Sequence, residues 1–127
     1  MRYTPDNITK LSDNEIFVFG SNESGRHGKG AAKTALGFGA KWGQAKGLQG
    51  RTYGIPTKDH SIRRTLSIAE IKPYVDDFIQ FAKDNPQLTF LVTEIGCGLA
   101  GHKHKDIKQL FEWAKSVCNI VLPKKFI

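Results

Sequence analysis

Two glycine-rich turns are the parts of this sequence best suited to chemistry, and each lies between a strand-like apolar run and a helix-like run. The first covers residues 21–30 (SNESGRHGKG) and the second residues 96–101 (GCGLAG). Glycines let backbone N–H groups approach an anion closely, and a helix N-terminus adds partial positive charge. Ligands of open α/β sheets bind at the carboxyl ends of strands. The pattern therefore predicts a cleft in which both turns hold a diphosphate.

Three side chains in these turns have reactive or ligand-binding chemistry. Asn22 follows a strand-like run, where it either caps the turn or contacts a ligand. His27 could carry a proton as a general acid or base, although a histidine in a surface loop needs no special role. Cys97 would be a nucleophile only if a helix N-terminus lowered its pKa and His102 or His104 activated it. For Cys97, packing as a small side chain is the simpler interpretation.

The first turn does not match two familiar phosphate-binding signatures. Gly20 and Gly25 have the spacing of a Walker A loop, but residues 26–27 are Arg-His instead of Lys-Ser or Lys-Thr. The dinucleotide fingerprint GxGxxG begins at Gly28 and fails at Lys33, where its third glycine would stand. Kinase and dehydrogenase functions are therefore not supported. The lysines of this region, Lys29 and Lys33, either neutralise phosphate or are simply solvated.

The cysteines and histidines indicate neither a metal nor a cofactor. Cys97 and Cys118 do not make a disulfide scaffold. The sequence has no CxxC or CxxH pair, so a structural zinc site is not expected.

Length and composition indicate one domain over residues 1–127 that works where it is made, in the cytoplasm. Its 39% hydrophobic residues suffice for a core without staples. No apolar run approaches the roughly 20 residues that span a bilayer, and the N-terminus lacks a signal-peptide core. The net charge of +7 favours anionic partners such as nucleic acid, nucleotides or acidic surfaces. The basic residues are scattered along the chain, so charge alone does not choose among these partners.

Alternating strand and helix patterns must position the two turns, and they predict an α/β layer fold with parallel pairing. Ser67 and Glu70 form a capping-box pattern at the start of the second helix, and Pro73 predicts a kink or a separate first turn there. Residues 37–50 hold five glycines and predict an irregular loop. The apolar patterns predict strands over 15–20, 51–55, 88–95 and 119–122, and helices over 31–36, 68–84 and 107–117.

Several segments together resemble the macrodomain family. They are residues 7–11 (NITKL), 16–18 (IFV), Asn22, the glycine loop 25–30, residues 53–56 (YGIP) and residues 95–101 (IGCGLAG). Residues 19–32, with the pattern FGSNxxGxHGxGAA, also resemble a compact macro-like group of bacteria and phages. The resemblance implies a three-layer α/β/α macro-like domain with a mixed, mainly parallel central sheet.

The resemblance also implies a set of site residues. Asn7 replaces the aspartate that holds the adenine amino group in macrodomains, and Asn22 matches the asparagine that contacts the distal ribose. His102 replaces an aromatic that often follows the second loop. We predict Asn22 and His27 as the catalytic pair, with His27 carrying the proton. The implied ligand-binding residues are Asn7, Ile8, Asn22, Gly28, Lys29, Gly30, Gly96, Cys97, Gly98, Leu99, Ala100, Gly101 and His102.

The leading functional hypothesis is binding of ADP-ribose or a related nucleotide diphosphate between the two glycine loops. Hydrolysis is open, and an ADP-ribosyl hydrolase and an ADP-ribose phosphate phosphatase are both hypotheses. One alternative is a basic nucleic-acid-binding module, with Trp42 as a better base-stacking candidate than Trp113. No RNP-like strand or C₂H₂ pattern supports that module. Another alternative is a degenerate macro fold that mediates protein contacts. No membrane partner is expected.

Overall fold

The computed structural model describes residues 2–127, and its centre is one five-stranded sheet of order β2-β3-β1-β4-β5. β1 pairs in parallel with β3 and β4, and β4 pairs in parallel with β5, while β2 pairs antiparallel with β3. The predicted α/β class with a mixed, mainly parallel sheet is confirmed. The elements are β1 (Glu15–Asn22), α1 (Gly30–Leu36), β2 (Gly47–Gln49), β3 (Thr52–Lys58), α2 (Ile68–Asp84), β4 (Thr89–Val92), α3 (His104–Lys108) and β5 (Ile120–Val121), with 3-10 turns at Gln109–Phe111, Trp113–Ser116 and Lys124–Phe126.

The central strand β1 shows why helices cover both faces of the sheet. Successive side chains of a strand point to opposite faces. Ile16 and Val18 face the side covered by α2 and the C-terminal segment, whereas Phe17 and Phe19 face the side covered by α1. All four are buried, so both faces need a cover. The result is a three-layer α/β/α arrangement. Within residues 2–127, no helix combines the length and apolar character needed to cross a bilayer.

The capping box at the start of α2 forms as predicted, but the expected separate first turn at Pro73 does not. The Ser67 hydroxyl accepts from the Glu70 amide at 3.2 Å, and the Glu70 carboxylate accepts from the Ser67 amide at 3.0 Å. The helix then runs through Pro73 without interruption to Asp84. Pro73 is exposed, while Val75 and Phe78 on the opposite face are completely buried. Burial of that face outweighs the hydrogen bond that proline removes.

Several predicted boundaries are wrong. The third helix, predicted over 107–117, is α-helical only to Lys108 and then tightens into 3-10 turns that still bury Leu110, Phe111 and Ala114. β3 does not end before Pro56 but continues to Lys58. Because β2 pairs no further along β3 than Gly54, the missing N–H of Pro56 breaks no bond to β2. β1 is longer than predicted, β4 and β5 are shorter, and β2 lies inside the predicted irregular loop.

Candidate functional site

Both glycine-rich turns line a single cleft of about 880 Å³. Because β1 and β4 are parallel neighbours, their carboxyl ends meet at one edge of the sheet, and each turn follows one of these strands. The end of β3 and the loop after it complete the wall with Thr57, Lys58 and Ile62. The volume is within the range of about 300–1,000 Å³ that is usual for small-molecule sites. The predicted meeting of the two turns at one edge is therefore observed.

Asn22 lies in the cleft wall and organises the first turn. Its side chain is 7% exposed. Its Oδ1 accepts hydrogen bonds from the Arg26 backbone N–H at 2.9 Å and the Ser24 hydroxyl at 2.7 Å, and its Nδ2 donates to the Arg26 carbonyl at 2.7 Å. One Nδ2 proton is left for a ligand. Asn22 thus caps the turn, one of its two predicted roles, and also lies where a ligand contact is predicted.

The first turn is held in place by the glycine-rich segment 37–50. The Gly43 amide donates to the Gly25 carbonyl at 2.8 Å. Gly25 has φ of +73°, and a Cβ there would overlap the Gly43 carbonyl. The same packing recurs further along, where a Cβ on Gly50 would lie 2.6 Å from Cα of Gly39. Only glycine permits such close backbone approach together with positive φ.

His27 does not line the cleft, contrary to what its predicted role as proton carrier requires. The ring is completely buried. Its Nε2 lies 3.1 Å from the Gln44 carbonyl oxygen and 3.2 Å from Oε1 of Gln49. Both neighbours accept, so Nε2 carries the proton. Its Nδ1 has no hydrogen-bond partner within the described chain. His27 therefore ties segment 37–50 to the first turn, and its placement gives no support to a catalytic role.

The second turn has unpaired backbone donors on residues that line the cleft. Within residues 2–127, the amides of Gly98, Leu99 and Ala100 donate to no protein acceptor, and all three residues line the cleft. The amide of Gly101 instead donates to the Gly98 carbonyl at 3.0 Å. Gly96 has φ of +75°, and a Cβ there would lie 2.9 Å from Cδ1 of Ile107. Tight packing at Gly96 thus fixes a run of amides that can bind an anion.

Cys97 packs against the main core rather than lining the cleft. The pKa of the Cys97 thiol is raised to about 11, mainly by burial and to a smaller extent by the nearby Glu94 carboxylate, while Lys125 opposes the shift. A helix N-terminus does not lower it, because α3 begins seven residues later and is only five residues long. The thiol is therefore protonated at neutral pH, which supports the packing interpretation over the nucleophilic one.

Four other predicted ligand residues also lie outside the cleft wall, namely Asn7, Ile8, Gly101 and His102. Asn7 is exposed in the N-terminal segment, and Ile8 is half-buried against the smaller core beside α1. His102 is half-buried, with Nε2 2.6 Å from the Leu66 carbonyl oxygen, so it helps to anchor the second turn. The predicted residues that the structure does bring together in the cleft wall are Asn22, Gly28, Lys29, Gly30, Gly96, Gly98, Leu99 and Ala100.

The cleft also has lining residues that the sequence patterns did not single out as ligand-binding. Arg26 and Lys58 add positive charge, and Glu94 is the one acidic residue of the wall. The Glu94 carboxylate lies 2.6 Å from Nε2 of His104. Lys58 and Glu94 stand at or just after strand ends, a position that could have indicated them. Ile62 has φ of +68°, a strained conformation for a β-branched residue, and such strain often occurs at functional sites.

Comparisons with known proteins identify the fold but no function. No family model matches the sequence, and no curated protein matches it. Among solved structures, the chain is similar to a protein of unknown function from Bacteroides thetaiotaomicron, with a TM-score of 0.61 and 15% sequence identity. The similarity covers 91% of this chain and 90% of that one. At this level of identity the likeness concerns the fold alone.

Proposed function

We propose that this protein binds ADP-ribose or a related nucleotide diphosphate in the cleft between its two glycine-rich turns. The observation that carries the proposal is the run of free amides at Gly98, Leu99 and Ala100, which lines the same cleft as Arg26 and Lys29. A diphosphate matches both groups of donors. The helices beside the turns are short, so anion binding depends on backbone amides and cationic side chains rather than on helix dipoles.

The number of donors is sufficient for useful affinity. Each charge-assisted hydrogen bond contributes roughly 1.5–3 kcal/mol. Four or five such contacts, reduced by the ordering costs of binding, correspond to micromolar affinity, or about −8 kcal/mol. We therefore expect micromolar binding that weakens moderately with salt, since the wall has three cations and one carboxylate.

The proposal extends to hydrolysis of an ADP-ribose derivative. The reaction would either release ADP-ribose from a modified target or remove a terminal phosphate from the nucleotide. Of the two residues predicted for catalysis, Asn22 is in the wall and His27 is not. Asn22 would hold the sugar through its remaining Nδ2 proton. Glu94 is the wall residue able to accept a proton from water, and His104 orients its carboxylate. Release of inorganic phosphate from ADP-ribose 1″-phosphate, compared between the natural protein and Glu94→Gln, tests this extension.

Calorimetric titration tests the binding proposal. ADP-ribose should bind at micromolar concentration and more tightly than AMP, which lacks the diphosphate. Lys29→Gln should weaken ADP-ribose binding about tenfold, because one charge-assisted contact is lost. Lys83→Gln, on the exposed surface of α2, is the matched control and should bind as the natural protein does. Absence of heat with ADP-ribose from a folded sample would rule the proposal out.

A further inference from the structure

The net positive charge of this protein comes from one continuous part of the chain. Residues 24–58 hold seven Lys and Arg and no Asp or Glu. These seven equal the formal net charge of +7, so the remaining residues have as many acidic as basic side chains. The segment comprises most of the first turn, α1, the glycine-rich segment 37–50, β2 and β3. The net charge therefore belongs to one continuous segment of the chain, of which Arg26, Lys29 and Lys58 line the cleft.

None of the seven cations forms an ion pair within the described residues. Five of them are free to meet a ligand. The other two are engaged elsewhere. Lys46 lies over the ring of Tyr74 at 5.8 Å, and Arg51 donates to the backbone carbonyls of Leu11 and Ser12. The five free cations, which we call the basic wall, are Arg26, Lys29, Lys33, Lys41 and Lys58.

The basic wall extends beyond the cleft. Arg26, Lys29 and Lys58 line the cleft, whereas Lys33 lies one helical turn after Lys29 and Lys41 directly precedes Trp42. A diphosphate held in the cleft leaves Lys33 and Lys41 without a partner. A ligand whose phosphates continue past the cleft would supply partners for both, since proteins bind nucleic acids by neutralising their phosphates with Lys and Arg.

Trp42 adds an aromatic surface where the basic wall leaves the cleft. The indole is 63% exposed although it lines the cleft, and a Cβ on Gly28 would lie 4.0 Å from its Cη2 atom. Its ring meets the buried His27 ring edge-on, with the two ring centroids 6.4 Å apart. An exposed indole beside cations is the usual arrangement of single-stranded nucleic acid sites, where bases stack on aromatic rings.

We propose that the nucleotide bound in the cleft is the end of a single-stranded nucleic acid. The strand leaves the cleft past Trp42, which stacks on a base, and its next phosphates meet Lys33 and Lys41. This inference rests on the proposed nucleotide-binding function and names the class of molecule that carries the nucleotide. An acidic peptide would satisfy the charges but leaves the indole without a stacking partner.

Competition between two ligands tests the inference. The probe is a 5′-phosphorylated single-stranded hexanucleotide with a fluorophore at its 3′ end, followed by anisotropy. ADP-ribose should displace it. The logarithm of its binding constant should fall with the logarithm of salt concentration with a slope of about −3.5, or about −0.7 for each of five phosphates. Hexaglutamate should not displace it at equal concentration, and displacement by that peptide would overturn the inference.

Variants outside the cleft separate the strand from its terminal nucleotide. The double variant Lys33→Gln and Lys41→Gln should reduce the magnitude of the hexanucleotide's salt slope by about 1.4. Its affinity for ADP-ribose should be unchanged. Lys83→Gln is the matched surface control and should change neither quantity. An unchanged hexanucleotide slope in the double variant would contradict the path proposed for the strand.

The two tryptophans give a matched pair for stacking, since both are exposed and the sequence contains no others. The hexanucleotide should quench the emission of Trp113→Phe, in which Trp42 remains, but not that of Trp42→Phe. Trp42→Ala should weaken binding about tenfold, and Trp113→Ala should not. If ADP-ribose binds but the hexanucleotide neither displaces it nor quenches Trp42, this inference fails alone. If ADP-ribose does not bind, both proposals fail.

Discussion

The two faces of the sheet are stabilised in different ways. The face covered by α2 has a cluster of 21 buried apolar residues, whereas the face covered by α1 has a cluster of five, of which three are alanines. On the α2 face, Phe78 packs against Tyr53 and Phe90 with ring centroids 5.1 and 5.5 Å apart. The α2 face therefore supplies most of the hydrophobic stabilisation, and the α1 face, which contributes less, carries part of the cleft wall.

Polar groups and glycine contacts replace apolar packing on the α1 face. The Gln49 side chain accepts from the Lys41 amide at 2.8 Å and donates to the Gln44 carbonyl at 3.1 Å, and His27 contacts the same two glutamines. Such directional hydrogen bonds specify one conformation of the segment although few apolar side chains are buried there. The cleft wall is therefore specified by hydrogen bonds and close backbone approach, whereas the opposite face of the sheet is specified by packed rings.

The largest expected effect is loss of an aromatic ring from the α2 face. Phe78→Ala should lower the free energy of unfolding by about 3–5 kcal/mol, since it leaves a cavity among rigid rings. Phe17→Ala, on the α1 face, is the control. It should cost less, because the smaller cluster and its glycine-rich neighbours can collapse into the space. Denaturant titration measures both. Equal losses would remove the distinction between the two faces.

The next largest loss of stability is expected from substitution of a closely packed glycine on the α1 face. Gly25→Ala should lower stability by about 3 kcal/mol, since it adds overlap with Gly43 to the strain of a left-handed backbone. Gly43→Ala is matched in positive φ, at +95°, but a Cβ there meets nothing within 4 Å. It should cost about 1–2 kcal/mol. Gly25→Ala should also weaken ADP-ribose binding. A larger loss in Gly43→Ala would contradict the role of the close approach.

Two buried asparagines, one in each region, allow a finer comparison. Asn119 donates to the carbonyls of Ala82, Asn85 and Leu88 at 2.9–3.1 Å and so secures the end of α2. Asn119→Ala and Asn22→Ala should each lower the free energy of unfolding by about 1–3 kcal/mol, since each leaves backbone groups without partners. Only Asn22→Ala should also weaken ADP-ribose binding. Calorimetry and thermal unfolding of both variants check this, and equal binding losses would show a general effect of instability.

The local elements and the α/β class of this fold could be predicted from the sequence, but the contacts made by the glycine-rich segment 37–50 could not. The capping box at Ser67 and the apolar strand predicted over residues 15–20 depend on neighbours in sequence, and both are confirmed. The burial of His27 depends on a segment more than ten residues away that folds over it, and glycine content alone predicts a loop there. The placement of Trp42 in the cleft wall depends on the same fold-back.

Much of the candidate site was predictable because the two glycine-rich turns follow strands. Parallel pairing of β1 and β4 then brings the turns together, as predicted. The individual contacts were less predictable. Arg26 lies in the cleft wall because Asn22 caps the turn around it, and no sequence pattern indicates that contact. Lys58 lies there because it ends β3, which only the strand boundary could have indicated.

The smallest expected effect concerns the junction of the two regions, where Glu70 at the start of α2 meets Arg64 from the loop after β3. Arg64 donates to both Glu70 carboxylate oxygens, at 2.8 and 3.0 Å. These hydrogen bonds, with those from Ser67, lower the pKa of Glu70 from 4.5 to about 2. The depressed pKa means that the interaction stabilises the fold above pH 4.5 and is lost as the pH falls towards 2.

Replacement of Glu70 by glutamine should therefore lower the free energy of unfolding at neutral pH but not near pH 2. Glu70→Gln should be slightly less stable than the natural protein at pH 7, and the difference should shrink between pH 4.5 and 2 and with added salt, because the pair is exposed. Asp77→Asn, on the same helix and without an ion pair in the described chain, should show no such trend. Thermal unfolding across this pH range measures both variants. A constant difference for Glu70→Gln would mean that the capping geometry, rather than the charge shared with Arg64, joins α2 to the cleft wall.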